Sequence, residues 1–212
     1  VTGENAYPGG AANVARNLRE FVDRASVVGL LGVDRGGRQL RQLLEDDAID
    51  TTSAIEDATF PTIVKTRIIA RQQQVVRVDR ERIQTPTPAQ VTQVAASVRA
   101  RLPELDAIIL EDYGKGFLNS DLVSQISELA HVAGKIVTVD PNPRHPIAWK
   151  NVTAVKPNRS EAFLAAGIPW TDPPEAVNDD EPLFRVGRAF LEKWDTLHLP
   201  LTLGEQGMIL FD

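Results

Sequence analysis

The 212-residue chain contains no cysteine. That excludes disulfides, thiol catalysis and cysteine-ligated zinc. No apolar run approaches the ~20 residues a membrane helix needs, and no segment has the form of a signal peptide. A basic excess is also missing: 23 Lys and Arg stand against 29 Asp and Glu, a net charge of −6. A general nucleic-acid binder normally shows the opposite balance. Compositional bias is lacking too. With 42% hydrophobic and 25% charged residues, 14 Gly and 14 Pro, whole-chain disorder, collagen and coiled coil are excluded. The expected setting is the reducing cytoplasm, with neither membrane nor nucleic acid as partner. The length suits one large domain at ~150 residues per domain. The chain opens on Val1 and closes on an apolar run ending at Phe211 and Asp212, so it is expected to be part of something longer.

What is present alternates between strand and helix patterns. Ala11, Val14, Ala15, Leu18, Phe21 and Val22 recur at helical spacing behind Gly9-Gly10. Residues 26–31 (SVVGLL) read as a buried strand, followed by a helix with Leu40, Leu43, Leu44 and Ala48 on one face. Residues 62–69 (TIVKTRII) and 75–79 (VVRVD), joined by polar residues 70–74, read as a partly exposed β-hairpin. Thr87-Pro88-Ala89-Gln90 has the form of a capping box before an apolar helical stripe. Residues 107–110 (AIIL), 136–139 (IVTV) and 152–155 read as strands, with a helix from Asn119 or Ser120 ended by Gly134. A short helix from Ser160 and a longer one through Leu183 to Trp194 precede two strands joined by Gly204-Glu205-Gln206-Gly207. Apolar strands separated by amphipathic helices predict a parallel sheet covered on both faces. In such sheets ligands lie beyond the carboxyl ends of the strands.

Polar motifs stand at those ends. Pro8-Gly9-Gly10-Ala11-Ala12-Asn13 places small residues and an amide at a helix start, where free N–H groups meet a ligand or merely turn the chain. Glu111-Asp112-Tyr113-Gly114-Lys115-Gly116 suits a polar ligand, or is a charged loop whose Asp and Lys pair with each other. Asp140-Pro141-Asn142-Pro143-Arg144 is stiffened by two prolines, with Arg144 free to meet a phosphate or water. Asn158 and Glu161 of residues 156–161 (KPNRSE) fit a helix-capping box, and equally a metal–phosphate site. Residues 202–207 (TLGEQG) form a tight turn for a flat ligand, or an ordinary hairpin turn. On the hairpin, Lys65, Arg67, Ile69 and Arg71 alternate on one face, and Arg77 shares a face with Asp79. That basic ribbon is a phosphate site or a charged edge guarding against aggregation.

Taken in order, GGAANVARNL, VGLLGVDRGG, DYGKG, DPNPR, KPNRSE and TLGEQG resemble the ribokinase-like (PfkB) family of sugar kinases across nearly the whole chain. Residues 61–81 are similar to the matching segment of the heptose 7-phosphate kinase branch, which serves ADP-heptose and lipopolysaccharide core synthesis. The resemblance implies a three-layer α/β/α sandwich with a small β-lid at residues 58–82 of one domain spanning 1–212. It implies ATP as co-substrate, Mg2+ as cofactor and phosphoryl transfer to the anomeric hydroxyl of a phosphorylated sugar. Gly9, Gly10, Asn13, Asp112 and Lys115 then contact the sugar side. Asn158 and Glu161 organise magnesium and nucleotide phosphates, Glu161 directly or through water. Thr202, Leu203, Gly204 and Gly207 belong to the nucleotide segment. Lys65, Arg67, Arg71 and Arg77 are the candidates for the sugar's existing phosphate, because arginine binds phosphate bidentately. The lid is also the expected surface of a homodimer. The family's Gly-Ala-Gly-Asp catalytic motif is absent from these 212 residues, so no catalytic base is assigned. The alternatives are a PfkB kinase with a different acceptor, a non-catalytic sugar or nucleotide binder, and a dimerising module.

Overall fold

The computed structural model describes residues 3–212, apart from 146 and 195. The chain forms two compact units. One comprises residues up to 90 with 115–117, the other residues 91–114 and 118–212.

The first unit begins with α1 (Ala11–Leu18), β1 (Ala25–Ser26), β2 (Leu30–Gly32) and α2 (Arg35–Asp46). The short strands β3 (Ile49–Asp50) and β4 (Ile55–Asp57) follow, then the hairpin of β5 (Val64–Ala70) and β6 (Gln73–Arg80). β1 pairs with β3 and β2 with β4, both parallel. The expected strand at 26–31 is therefore split. Val27 donates its N–H to Asp50, while Gly29 accepts from Ile55, so the chain changes pairing partner between them. Ala48 lies outside α2, in a left-handed turn at φ 56°. Ala15, Leu44 and Ile49 are buried together, with Ala12, Ala25, Val27 and Leu40 packed against them. Asp34 caps α2 by accepting the Gly37 N–H at 2.8 Å. Its second oxygen accepts the Thr62 N–H and an Arg80 N–H, tying the helix start to both ends of the hairpin. Burial pushes the Asp34 carboxyl up, but these hydrogen bonds and the Arg80 charge outweigh it and leave the pKa lowered.

The hairpin is longer than its sequence pattern suggests. Only Arg71 and Gln72 lie between the strands, and Arg71 sits at φ 58°. The register shifts between Ile68 and Ile69.

The second unit takes most of α3 (Pro88–Arg101), then β7 (Ala107–Glu111), α4 (Ser120–Val132), β8 (Ile136–Asp140) and β9 (Ala154–Val155). It ends with α5 (Arg159–Ala166), α6 (Glu181–Trp194), β10 (Leu199–Thr202) and β11 (Met208–Phe211). The capping box at Thr87 and Gln90 forms as expected, and Asn119 caps α4 by accepting from Leu122. β7, β8 and β9 form a parallel sheet. Parallel bridges from Ala154 to His198 and from Asn158 to Thr202 set β10 beside β9, and β11 returns antiparallel. Val137, Val139, Val155, Phe163, Leu183, Phe190, Leu199 and Leu201 are buried. Each contributes about 1.5–3 kcal/mol relative to an exposed position. The sheet is less covered than expected: Ile109 and Ile136 are 40% and 51% exposed. These neighbouring side chains share the open face of β7 and β8, while Leu110, Val137 and Val139 on the other face are buried.

Candidate functional site

In the second unit, the register of β7 and β8 puts Glu111 directly beside Asp140 at the carboxyl ends of both strands. An open cleft of about 520 Å³ lies there, lined by Glu111, Asp112, Tyr113, residues 140–144, Ser160, Glu161 and Leu164. Lys156 pairs with Asp140 at 3.0 Å. Burial pushes the Glu111 carboxyl up, the Asp140 charge adds to this, and Lys156 opposes it. Burial likewise raises the Tyr113 phenol, with Glu111 and Asp140 reinforcing it. A cation beside Glu111 and Asp140 would therefore be favoured.

Asp112 is held from two sides. Oδ1 accepts the Gly114 N–H at 2.8 Å. Oδ2 lies 2.8 Å from His145 Nδ1, and the Asp112 side chain is 2% exposed.

At the start of α5, Asn158 Oδ1 accepts the Glu161 N–H and Glu161 Oε2 accepts the Asn158 N–H, each at 2.9 Å. The Ser160 hydroxyl donates to the same Asn158 oxygen. The beginning of this helix, with Ser160 and Glu161, forms one wall of the cleft. Thr202 donates its N–H to Pro157 at 3.2 Å, so the β10 end is stitched to the residue before Asn158. The turn that follows needs its glycines: Gly204 and Gly207 sit at φ 65° and 88°, a region that penalises any Cβ.

In the first unit, the charged face of the hairpin is a chain of ion pairs. Lys65 lies 3.6 Å from Asp79 and 3.5 Å from Glu81. Arg77 pairs with Asp79 at 3.0 Å, and Lys115 with Glu81 at 2.8 Å. The Lys115 hydrogen bond, against a smaller opposing effect of desolvation, holds the Glu81 carboxyl below its usual range. Arg67 and Arg77 stand directly opposite each other. Among the described residues Arg67 makes no ion pair. Gly9, Gly10 and Asn13 are exposed at the start of α1.

The model of the pfkB family of carbohydrate kinases matches residues 2–212. The chain belongs to that family. The D-beta-D-heptose 7-phosphate kinase of Bordetella bronchiseptica is 36% identical over 203 residues, covering 96% of this chain and 61% of that protein. The bifunctional protein HldE of Geobacter sulfurreducens is 36% identical over 211 residues, covering all of this chain and 42% of that protein. The chain thus spans about two fifths of its bifunctional relatives. Among solved structures, the tetrameric inhibited form of phosphofructokinase-2 from Escherichia coli superposes with a TM-score of 0.72 at 18% identity. That match covers 96% of this chain and 64% of the other. A PfkB protein from Polaromonas sp. JS666 gives 0.70 at 18%, covering 96% and 68%. The fold is that of the ribokinase-like kinases.

Within this pfkB-family chain, the expected nucleotide residues Asn158, Glu161, Thr202, Leu203, Gly204 and Gly207 gather at one end of the second unit, where Asn158 bridges to Thr202 and Glu161 lines the cleft. Lys65, Arg77 and Lys115 gather on the first unit through Asp79 and Glu81. Arg71 does not join them, because β5 ends at Ala70 and the left-handed turn at Arg71 ends the alternation. Asp112 and Lys115 do not pair with each other; each has its own long-range partner. Among the described residues no group of three or more His, Asp or Glu is arranged to hold a metal. His145 is the site residue that sequence reading missed. It lies 33 residues from Asp112 and carries no local pattern.

Proposed function

We propose that the protein is an ATP-dependent kinase that phosphorylates the anomeric hydroxyl of a heptose 7-phosphate. One observation carries the acceptor. Arg67 faces Arg77 across the hairpin, and like charges directly opposite destabilise a β-pair. A phosphate dianion relieves that repulsion and accepts bidentate hydrogen bonds from both guanidinium groups. Lys65 and Lys115, already drawn to Glu81, extend the positive face. Gly9, Gly10 and Asn13 offer an open helix start to sugar hydroxyls. Residues 58–82 act as the lid that carries the phosphate site.

The second unit takes the nucleotide. Asn158, Glu161 and the turn at 202–207 present the groups that meet ATP phosphates and base. Magnesium keeps several waters and binds through one or two carboxylates plus substrate phosphates. That fits this site better than a closed protein cage, since Asn158 Oδ1 and Glu161 Oε2 are already hydrogen-bonded within the capping box. Glu161 and Asn158 would hold the ion through its waters. When bound, it supplies charge neutralisation for the phosphates. In the reaction the anomeric oxygen forms a bond to the γ-phosphorus, the bond to the ADP oxygen breaks, and the hydroxyl proton passes to a base. No described residue is assigned as that base. Such transfer depends on positioning and charge stabilisation.

The test is phosphoryl transfer by the whole protein with heptose 7-phosphate and unphosphorylated heptose side by side. Transfer preferring the phosphorylated acceptor is expected. Equal use of both overturns the acceptor assignment, and no transfer to any sugar overturns the kinase reading.

The hairpin's other face carries Ile68, Val76 and Val78, all exposed. An apolar strand pair left open to water is a pairing surface, and it supports a homodimer through the lid. Substituting Val76 and Val78 by lysine should shift sedimentation from dimer to monomer; an unchanged dimer would place the interface elsewhere.

A further inference from the structure

The loop between α5 and α6, residues 167–180, runs past both nucleotide segments and is fixed to each. Toward both of its ends, at Thr171 and Asp180, it is anchored to the residue that follows Asn158. Arg159 is 6% exposed. Its Nη1 pairs with Asp180 Oδ2 and its Nη2 donates to the Thr171 carbonyl at 3.1 Å. It also lies over the rings of Phe163 and Trp170, 4.8 and 5.3 Å from their centroids. Trp170 meets Phe163 edge to face at 5.5 Å. Asp180 caps α6 through the Leu183 N–H, so the loop has a fixed exit.

In its middle it is anchored to the 202–207 turn. Gln206 Nε2 donates to the Pro174 carbonyl at 2.8 Å and reaches Glu175 O at 3.5 Å. The turn's own bonds, Leu203 N–H to Gly207 and Gly207 N–H to Gly204, close it on itself. The Thr202 N–H to Pro157 contact fixes only its base. Gln206 is therefore the side chain that fixes the orientation of the tip.

We infer that residues 168–180 form a strap that holds the 202–207 turn in register with the Asn158–Glu161 helix start, with Gln206 and Arg159 as positioning residues for the nucleotide. This rests on the kinase reading above, and it concerns ATP alone: the side chains that anchor the strap, Arg159 and Gln206, stand next to Asn158 and Gly207, residues assigned to the nucleotide.

Gln206→Met keeps the side-chain length and removes both donors. In the whole protein it should raise the dissociation constant for Mg-ATP about three- to tenfold, the loss of one or two hydrogen bonds. The KM for the sugar phosphate should stay within about twofold, and the melting temperature should stay near that of the wild type. Lys193→Met is the control. It removes a bond to Ala165 O at the far end of α5 and should leave Mg-ATP affinity unchanged. Equal Mg-ATP affinity in wild type and Gln206→Met overturns the strap, as does a parallel shift in both substrates or an equal effect of Lys193→Met. Absence of Mg-ATP binding by the wild type overturns the nucleotide reading itself, and the strap with it.

Discussion

Arg159→Ala should lower the unfolding free energy by about 3–5 kcal/mol, the cost of leaving a buried partner charge uncompensated. Asp180 is 2% exposed and Arg159 6%, so water cannot replace the lost guanidinium. The substitution also removes the cation–π contacts to Phe163 and Trp170, each worth about 0.5–2 kcal/mol, and strands the Thr171 carbonyl. Set against a typical domain stability of about 5–15 kcal/mol, this is a large fraction. Urea denaturation followed by tryptophan fluorescence reads it. Arg159→Met combined with Asp180→Asn should recover much of the loss, because no charge is then left buried and Asn still caps α6. A loss below about 1 kcal/mol for Arg159→Ala would mean that water reaches Asp180.

The same pair shows where sequence reading stops. Asn158 and Glu161 were legible because a capping box is local: three residues fix both hydrogen bonds. The strand ends were legible because apolar runs mark parallel strands and topology then places the polar residues that follow. Arg159 was not, since its partner lies 21 residues away behind a loop without periodicity. Asp112 with His145 and Lys115 with Glu81 are hidden for the same reason. β3 and β4 are two and three residues long, too short for an alternation to register. Arg71 departs from the expected face because alternation assumes that the strand continues, whereas β5 ends at Ala70 and Arg71 turns the chain at φ 58°. Local chemistry is thus readable, whereas long-range ion pairs and register faults require the fold.

Arg67→Ala with Arg77→Ala should cut kcat/KM for the phosphorylated acceptor by about 10²-fold or more, at about 1.5–3 kcal/mol per charged hydrogen-bond donor. The reason lies in what each cation already does. Arg77 is held by Asp79, and Lys65 is shared between Asp79 and Glu81. Arg67 is the cation on this face without an ion-pair partner among the described residues, and it abuts Arg77. Removing a repulsive pair from an exposed hairpin should leave folding intact or slightly improved. A loss of activity with unchanged or higher melting temperature therefore separates binding from stability. Arg67→Lys alone should recover only part of the activity, since lysine restores the charge but not the bidentate fork. With unphosphorylated heptose the double variant should differ little from wild type. Equal losses on both acceptors would place the phosphate elsewhere, and Lys65 and Lys115 would be the next pair to test. Raising salt should weaken the phosphorylated acceptor more than the plain sugar in the wild type, and this difference should shrink in the double variant, because exposed charges act through a screened field.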